Sequence, residues 1–469
     1  MSRQFRVKAV PSTWLESNGR RLDCGPYVSG AIEARELLRR FTTSPLKGAT
    51  AGHEGGIYNG PQFARNYVED SRFGVPFLTT SSLLQADLSL VSYLSRRDAE
   101  SSKLSYLRII EGMTLITCSG TIGRMTYARK DMEGMWSNQD IIKVVPNRDS
   151  ISPGYLFAFL SSRYGLPLVL NGTYGAIIQH IEPSHIADLP VPRLGPVEIV
   201  AHDLIQRAAD LRTDAARLLC EATANLVDEL QFPKLQAWDV TKFGCSAVSS
   251  QDLKFRLDAP YHSPAALEAE QAIRSGRHGY RRLAEVTERL FKPPIFKRIW
   301  VDDHTYGRQF VSGTDAYLYE ANDLRFVSTR TPNFEEFVVK RGWVIFQAAG
   351  QIYGLFGRPL FVSGWLEDIF CADDLYRIVP KCEVDGAYIF LFLRSPHGQV
   401  LVKRQASGNS IPRVWDPHME QFELPWPDKP IRKRLARPVL DAHEKLADAL
   451  KLQRQAIEVV EKAIEEGGR

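Results

Sequence analysis

The side chains in this chain best suited to chemistry are polar, basic and aromatic, and they gather in loops. In the first half they are Lys47, Tyr58, Gln62 and Arg65, then Ser119, Thr121, Arg124, Asn138 and Gln139, then Thr173, Tyr174 and Gln179. In the second half they are Lys292, Lys297, Arg298, Arg308 and Gln309, then Gln347 and Gln351, then Lys403, Arg404, Asn409, Ser410 and Arg413. Lys and Arg neutralise phosphates, Arg grips a guanine edge through two bonds, and Asn or Gln pairs with an adenine edge. As sets, these loops fit contact with DNA. Any one of the residues alone reads more readily as an ordinary solvated side chain.

Covalent and metal chemistry have no comparable set. Ser119-Gly120-Thr121-Ile122-Gly123 lacks the spacing and the lysine of a phosphate-binding loop and reads as a tight turn. No G-x-G-x-x-G follows a strand, and the Asn/Asp-Pro-Pro-aromatic pattern of amino-methyltransferases is absent. His180 and His185 are five residues apart, which does not place both on one helix face as metal ligands. Asp373-Asp374 is not followed by a nuclease-like acidic-x-Lys strand and reads as a solvated loop. His202 and His443 read as packing residues on long helices. Catalysis, a metal and a bound cofactor are therefore not expected of this chain.

Length and composition agree with a multidomain globular protein. The chain has 469 residues, 44% hydrophobic and 24% charged, enough for two or three cores. A net charge of only +4 means that DNA binding must come from local basic patches. The six cysteines are scattered without CxxC spacing, which favours a reducing compartment. No apolar run is long enough to span a membrane and the N-terminus has no signal-like core, so a cytoplasmic location is expected.

Two long segments must position the loops. From Pro196 to Leu230 there is no glycine or further proline, and Val197, Leu204, Leu211 and Leu218 recur every seven residues. Ala201, Ala208, Ala215 and Ala222 recur in the same register four residues later. A second segment, about Pro438 to Glu466, places Val439, Leu446 and Val460 at one heptad position, with Gln453 as the polar exception. Leu450, Ile457 and Ile464 share another. The bulkier second segment suits the Ala-lined face of the first, so an antiparallel helix pair is expected. The plainer alternative is two unrelated amphipathic helices, each lying on its own domain.

What precedes each helix occurs twice. Arg21-Leu-Asp-Cys-Gly-Pro-Tyr27 is echoed by Arg256-Leu-Asp-Ala-Pro-Tyr261, and Gly112–Gly123 by Gly342–Gly354. Tyr155-Leu-Phe-Ala-Phe-Leu-Ser161 is echoed by Tyr388-Ile-Phe-Leu-Phe-Leu-Arg-Ser395, and Glu182-Pro183 by Asp416-Pro417. Leu189-Pro-Val-Pro192 answers Leu424-Pro-Trp-Pro427 at an offset of 235 (424 − 189). An internal duplication follows, with an α+β unit and a long helix in each copy. Its expected boundaries are 1–195, a helix at 196–232, 233–427, and a helix at 428–469. Strands are expected at Gly112–Thr117, Gly342–Gln347, Ile141–Val145 and Leu375–Val379, and short helices at 153–163 and 386–395. Residues 41–75 bear no visible relation to 279–312, so the frame reads as shared and the inserts as divergent.

In order and duplication these motifs, with Gly172-Thr-Tyr-Gly-Ala-Ile-Ile-Gln-His-Ile-Glu-Pro183, resemble the specificity subunit of type I restriction–modification systems over nearly the whole chain. Phage-defence and type IIB systems use similar subunits. The resemblance implies two target-recognition domains, each reading half of a split sequence in double-stranded DNA, with two antiparallel helices between them. It implies a subunit without an active site. Two methyltransferase subunits would bring S-adenosylmethionine, and in many such systems restriction subunits bring ATP and Mg. A helix of about 30 residues spans about 45 Å, and B-DNA advances roughly 34–36 Å per turn, so half-sites a little over one turn apart are expected. The second unit departs from the pattern: Ala349–Gly354 is one residue longer than Ser119–Gly123. Two other readings use the same residues: a stand-alone nuclease or DNA-modifying enzyme, and a duplicated scaffold that does not bind DNA.

Overall fold

A computed structural model describes residues 7–17, 20, 24–68, 70–89, 91–171, 180–235, 247–250, 253, 256–321, 324–408 and 410–467. The chain forms two compact units. Unit 1 is Met1–Thr213 with Asp448–Arg469, and unit 2 is Asp214–Ala447. The opening motif Arg21–Tyr27 and the Gly172–Pro183 motif lie partly outside the described residues.

Unit 1 holds β1 (Thr43–Pro45), β2 (Ile57–Tyr58), β3 (Tyr67–Val68), β4 (Gly74–Leu78) and β5 (Tyr93–Ser95). It continues with β6 (Thr114–Thr117), β7 (Met125–Tyr127), β8 (Trp136–Ser137), β9 (Ile141–Val144) and β10 (Pro190–Pro192). Unit 2 holds β11 (Tyr280–Arg282), β12 (Thr287–Phe291), β13 (Trp300–Val301), β14 (Gly307–Val311) and β15 (Phe326–Ser328). It continues with β16 (Val344–Gln347), β17 (Pro359–Phe361), β18 (Phe370–Cys371), β19 (Leu375–Pro380) and β20 (Glu423–Pro425).

The two units share one topology. Unit 1 has four-stranded sheets β2-β9-β6-β7 and β3-β5-β4-β8 and a ribbon β1-β10. Unit 2 has β12-β19-β16-β17, β13-β15-β14-β18 and β11-β20. Even the parallel pairs correspond, β4 with β8 and β14 with β18. The fold is thus α+β with an internal duplication, and the duplication extends into the segments expected to be unrelated. Residues 43–45 and 280–282 form equivalent strands, each closing on the proline-rich strand before a long helix. Their sequences, Thr-Ser-Pro and Tyr-Arg-Arg, share nothing, because a short strand at a sheet edge asks only for main-chain pairing.

Atomic detail corrects one landmark. The Tyr155 hydroxyl donates to the Pro192 carbonyl and the Tyr388 hydroxyl to the Pro425 carbonyl. Pro192 therefore answers Pro425 at an offset of 233 (425 − 192), so Leu189 does not answer Leu424. Repeated prolines two residues apart had matched equally well in the wrong register.

Apolar layers correspond between the units, and two in each lie on opposite faces of the sheet that holds β9 or β19. Ile142 and Val144 of β9 face a core that includes the helix Pro153–Ser161, whereas Ile141 joins Leu78 and Leu115 in the space between the sheets. In unit 2, Tyr376 and Ile378 face the core that includes the helix Glu383–Arg394, and Leu375 joins Val311 and Ile345 between the sheets. Residues 154–160 and 386–393 are buried all round, because a helix apolar on every face must be enclosed.

The long helices are Pro196–Glu229 and Lys429–Gly467, the second starting well before Pro438, which lies inside it. Within unit 1, Ala201, Ile205 and Ala209 share a core with Ala456, Val460 and Ile464. Within unit 2, Ala215, Leu219, Ala222 and Leu226 share one with Leu435, Ala436, Val439 and Ala442. The expected seam residues Leu204, Leu211 and Leu218 are only half-buried. The stripe enclosed beside Ala201, Ala208, Ala215 and Ala222 is Ile205, Arg212, Leu219 and Leu226. An arginine in that stripe hides it from a hydrophobic pattern. On the C-terminal helix Val439, Leu450, Val460 and Ile464 are buried, while Leu446 and Ile457 are half-buried. Ala442, Ala449 and Ala456 are fully buried as well, so both helices carry alanine inward rather than one alanine face meeting one bulky face.

Candidate functional site

In unit 1 three segments meet because β9 lies between β2 and β6. They are the chain leaving β2, the end of β6, and the connection from β8 to β9. Tyr58 pairs with Lys143, and Thr117 with Ile141, which brings Asn59–Arg65, Cys118–Ser119 and Asn138–Asp140 to one end of the sheet. There Arg65 Nη2 donates to Gln139 Oε1 at 3.2 Å and lies 3.8 Å from Asp140. Asn138 Nδ2 and Gln139 Nε2 both donate to Asp140 Oδ2 at 3.1 Å. Asn138 is 2% exposed, and its Oδ1 makes no hydrogen bond. The Cys118 thiol donates to the Gln139 carbonyl at 3.8 Å, and burial pushes its pKa up to about 11.

The other expected residues of this unit divide. Ser119 is half-buried and bridges His180; Gln62 is exposed in the chain leaving β2; and in the turn after β6 Thr121 is exposed and Arg124 half-buried. That turn is held by Thr117 Oγ1, which donates to the Thr121 carbonyl at 2.6 Å and accepts from the Arg124 amide at 3.0 Å. Lys47 is exposed in the turn after β1 and pairs with Asp188 at 2.7 Å. Tyr58 is enclosed: its hydroxyl donates to the Tyr106 carbonyl at 3.1 Å, and burial raises its pKa to about 12. A tyrosine read as a contact is a packing residue, because its ring suits the interior once the hydroxyl has a partner. Thr173, Tyr174 and Gln179 lie outside the described residues.

Unit 2 builds its site at the same end of the same sheet with different side chains. Gln347 Nε2 donates to Asp374 Oδ2 at 2.8 Å and to the Ala349 carbonyl at 2.9 Å. The Gln347 amide donates to the Tyr317 hydroxyl at 3.0 Å, and that hydroxyl donates to the Arg358 carbonyl at 2.7 Å. Gln347 Oε1 and Asp374 Oδ1 are buried without hydrogen bonds. Gly313 makes this fit: a Cβ there would stand 2.3 Å from Gln347 Oε1 and 2.7 Å from Asp374 Oδ2. Asp374 is thus an acceptor inside the site rather than part of a solvated loop.

Two loops flank the pair, held together by bridges from Arg413 to Ser407 and Ala349. They carry exposed Gln351, Ser410 and Arg413, with Tyr353 at 87% and Trp415 at 58% exposure. Lys403 is half-buried, and burial and the neighbouring Arg358 lower its pKa. Arg404 faces inward, bonding the Tyr261 carbonyl and Glu270 at 2.8 Å each with its guanidinium over the Tyr261 ring. Lys292 lies beside Asp416. Lys297, Arg298, Arg308 and Gln309 are exposed, Arg298 over Phe310 and the last two on β14. Asn409 lies outside the described residues.

Asp140 and Tyr317, and the cations Lys143 and Arg377, belong to no motif of the sequence, whereas Asp374 carries a role other than the solvated one expected of it. One signal pointed to the cations: a single charge inside the apolar runs Ile-Ile-Lys-Val and Leu-Tyr-Arg-Ile-Val, at matching places. Chemically, each site offers amide donors and acceptors, a carboxylate and nearby arginines. Among the described residues no three His, Cys, Asp or Glu side chains stand together as metal ligands, and no helix is long and apolar enough to cross a membrane.

No family model matches the sequence, and no curated protein matches it. Solved structures similar to this chain over most of its length include these three. One is the S subunit of a type I restriction–modification system from M. genitalium, 10% identical, covering 91% of this chain and 96% of that one, with a TM-score of 0.36. A structure described as showing complex assembly and conformational transition of the type I R-M system is 12% identical, covering 90% of this chain and 97% of that one, with a TM-score of 0.28. The HsdS subunit from Thermoanaerobacter tengcongensis is 11% identical, covering 90% and 96%, with a TM-score of 0.27. All three TM-scores lie below the level at which superposition establishes a shared fold.

Proposed function

We propose that this chain is a DNA-reading specificity subunit of the type I restriction–modification kind, in which each unit reads one half of a bipartite target. One observation carries the reading: a single frame occurs twice with different polar side chains at matching positions of a loop and a strand end. Asn138-Gln139-Asp140 stands where the second copy has Ala372-Asp373-Asp374, and Thr117 stands where it has Gln347. A repeated frame with altered hydrogen-bonding edges is what reading two different short sequences requires, because donor and acceptor patterns in the grooves distinguish base pairs. The order of the repeated motifs supports the same conclusion. The chemistry then belongs to methyltransferase partners carrying S-adenosylmethionine, joined in some assemblies by ATP-driven restriction subunits. The site of this chain supplies recognition.

The test is methylation mapping of host DNA with and without this gene, alongside the methyltransferase gene beside it. A single bipartite motif that depends on the gene is expected. Exchange of residues 41–140 with those of another specificity subunit should change one half of that motif and leave the other. A gene-independent pattern, together with no salt-sensitive DNA affinity of the purified assembly, overturns the reading in favour of a scaffold.

A further inference from the structure

Each unit places one cation in the apolar layer between its two sheets, at the same point of the frame. Lys143 lies on β9 opposite Leu115 and Tyr58, and Arg377 lies on β19 opposite Ile345 and Phe291. Both are fully buried. Lys143 Nζ donates to the carbonyls of Ile141 at 3.0 Å and Asn138 at 3.3 Å. Arg377 Nη1 donates to the carbonyls of Leu375 and, at 3.0 Å, Ala372, and its Nη2 donates to that of Cys371 at 2.9 Å. Cation and carbonyls correspond at one separation of 234 residues (377 − 143, 375 − 141, 372 − 138).

A cation enclosed among apolar side chains is a poor choice for stability alone, since well-packed apolar residues of similar volume commonly do as well or better. Here its bonds end on main-chain carbonyls within and at the strand ends of the connection that bears Asn138, Gln139 and Asp140 in one copy and Ala372, Asp373 and Asp374 in the other. A grip on the main chain holds the loop in shape while leaving its side chains free to differ.

We infer that Lys143 and Arg377 are equivalent positioning residues, each clamping the reading loop of its own unit and so setting the discrimination of one half-site. This rests on the function proposed above. The groups facing Lys143 are Cys118 at the end of β6 and Asp140 in the loop; those facing Arg377 are Cys371, Asp373, Asp374 and Glu336.

The test uses the full chain assembled with its methyltransferase, and duplexes of the mapped target altered in one half at a time. Lys143→Met should lose discrimination roughly tenfold or more at one half-site and keep it at the other. Amide exchange of residues 138–141 should rise. Lys143→Arg should retain both properties. Arg377→Met should give the mirror image, at the other half-site and in residues 371–375. Should Lys143→Met fail to fold, Arg377→Lys, with fewer donors for the same carbonyls, should weaken the second half-site alone. Folded Met variants with wild-type discrimination, or with equal loss at both halves, overturn the inference. If the wild-type assembly discriminates no sequence, the functional reading fails by itself. Unchanged amide exchange in the Met variants would then overturn the clamp as well, and a local rise would support it.

Discussion

Arg212 Nη1 donates to Gln453 Oε1 at 2.8 Å, with both side chains buried. The two residues sit in otherwise apolar stripes, Arg212 between Ile205 and Leu219 on the central helix and Gln453 between Leu446 and Val460 on the C-terminal helix. A single polar layer of this kind favours the register in which both partners are satisfied, because any slip buries an unpaired donor or acceptor.

Removing one partner should therefore be worse than removing both. Arg212→Leu alone should cost about 1–3 kcal/mol by leaving the Gln453 amide enclosed without its donor. Adding Gln453→Leu should recover most of that loss or exceed it. Urea unfolding of the four members of the cycle measures the coupling.

His397 makes unit 2 sensitive to acid. Its ring is buried against Phe232, with centroids 4.2 Å apart, and burial lowers its pKa from 6.5 to about 4. Between those values the unfolded chain binds a proton that the folded unit does not, so stability is full above about pH 6.5 and falls as pH drops toward 4. His397→Phe should flatten this part of the profile, read as the urea midpoint at pH 7 and pH 5.

Gly165 and Gly398 follow equivalent serines, Ser162 and Ser395, whose hydroxyls accept from the glycine amides at 3.1 Å. A Cβ at either would stand 2.0 Å from a main-chain carbonyl, of Phe159 or Phe392. Gly165→Ala and Gly398→Ala should each destabilise by about 1–3 kcal/mol or more, to a similar extent, since backbone must move. Thermal unfolding of the two variants checks both the size and the equivalence.

Gly313→Ala should separate recognition from folding. The new methyl group meets the ends of Gln347 and Asp374, which can swing aside, rather than backbone. Discrimination at the half-site read by unit 2 should fall while the unfolding midpoint stays nearly unchanged. Equal binding to duplexes altered in either half would contradict the placement of this pair in the reading surface.

Much of the frame was legible because its signals are local. Apolar runs ending in glycine marked β6 and β16, and Tyr155-Leu-Phe-Ala-Phe-Leu and its echo marked enclosed helices. Equivalence of β1 and β11 was not legible, since each pairs with a strand more than a hundred residues away and shares no residue pattern with the other. Nor was the inward turn of Tyr58 and Arg404, because amphipathic side chains serve interior and surface alike. The bond from Arg65 to Gln139, beside Asp140, joins residues 74 apart in sequence and exists only once β9 lies between β2 and β6.

By itself, then, the sequence determined that the chain is a duplication with a long helix after each copy, because repeated motifs and heptad spacing are properties of the chain. Only the tertiary structure decided which stripe of each helix is enclosed, which polar residues share a site, and that Lys143 and Arg377 are counterparts. Those facts depend on strand order and register, through which distant segments come within hydrogen-bonding reach.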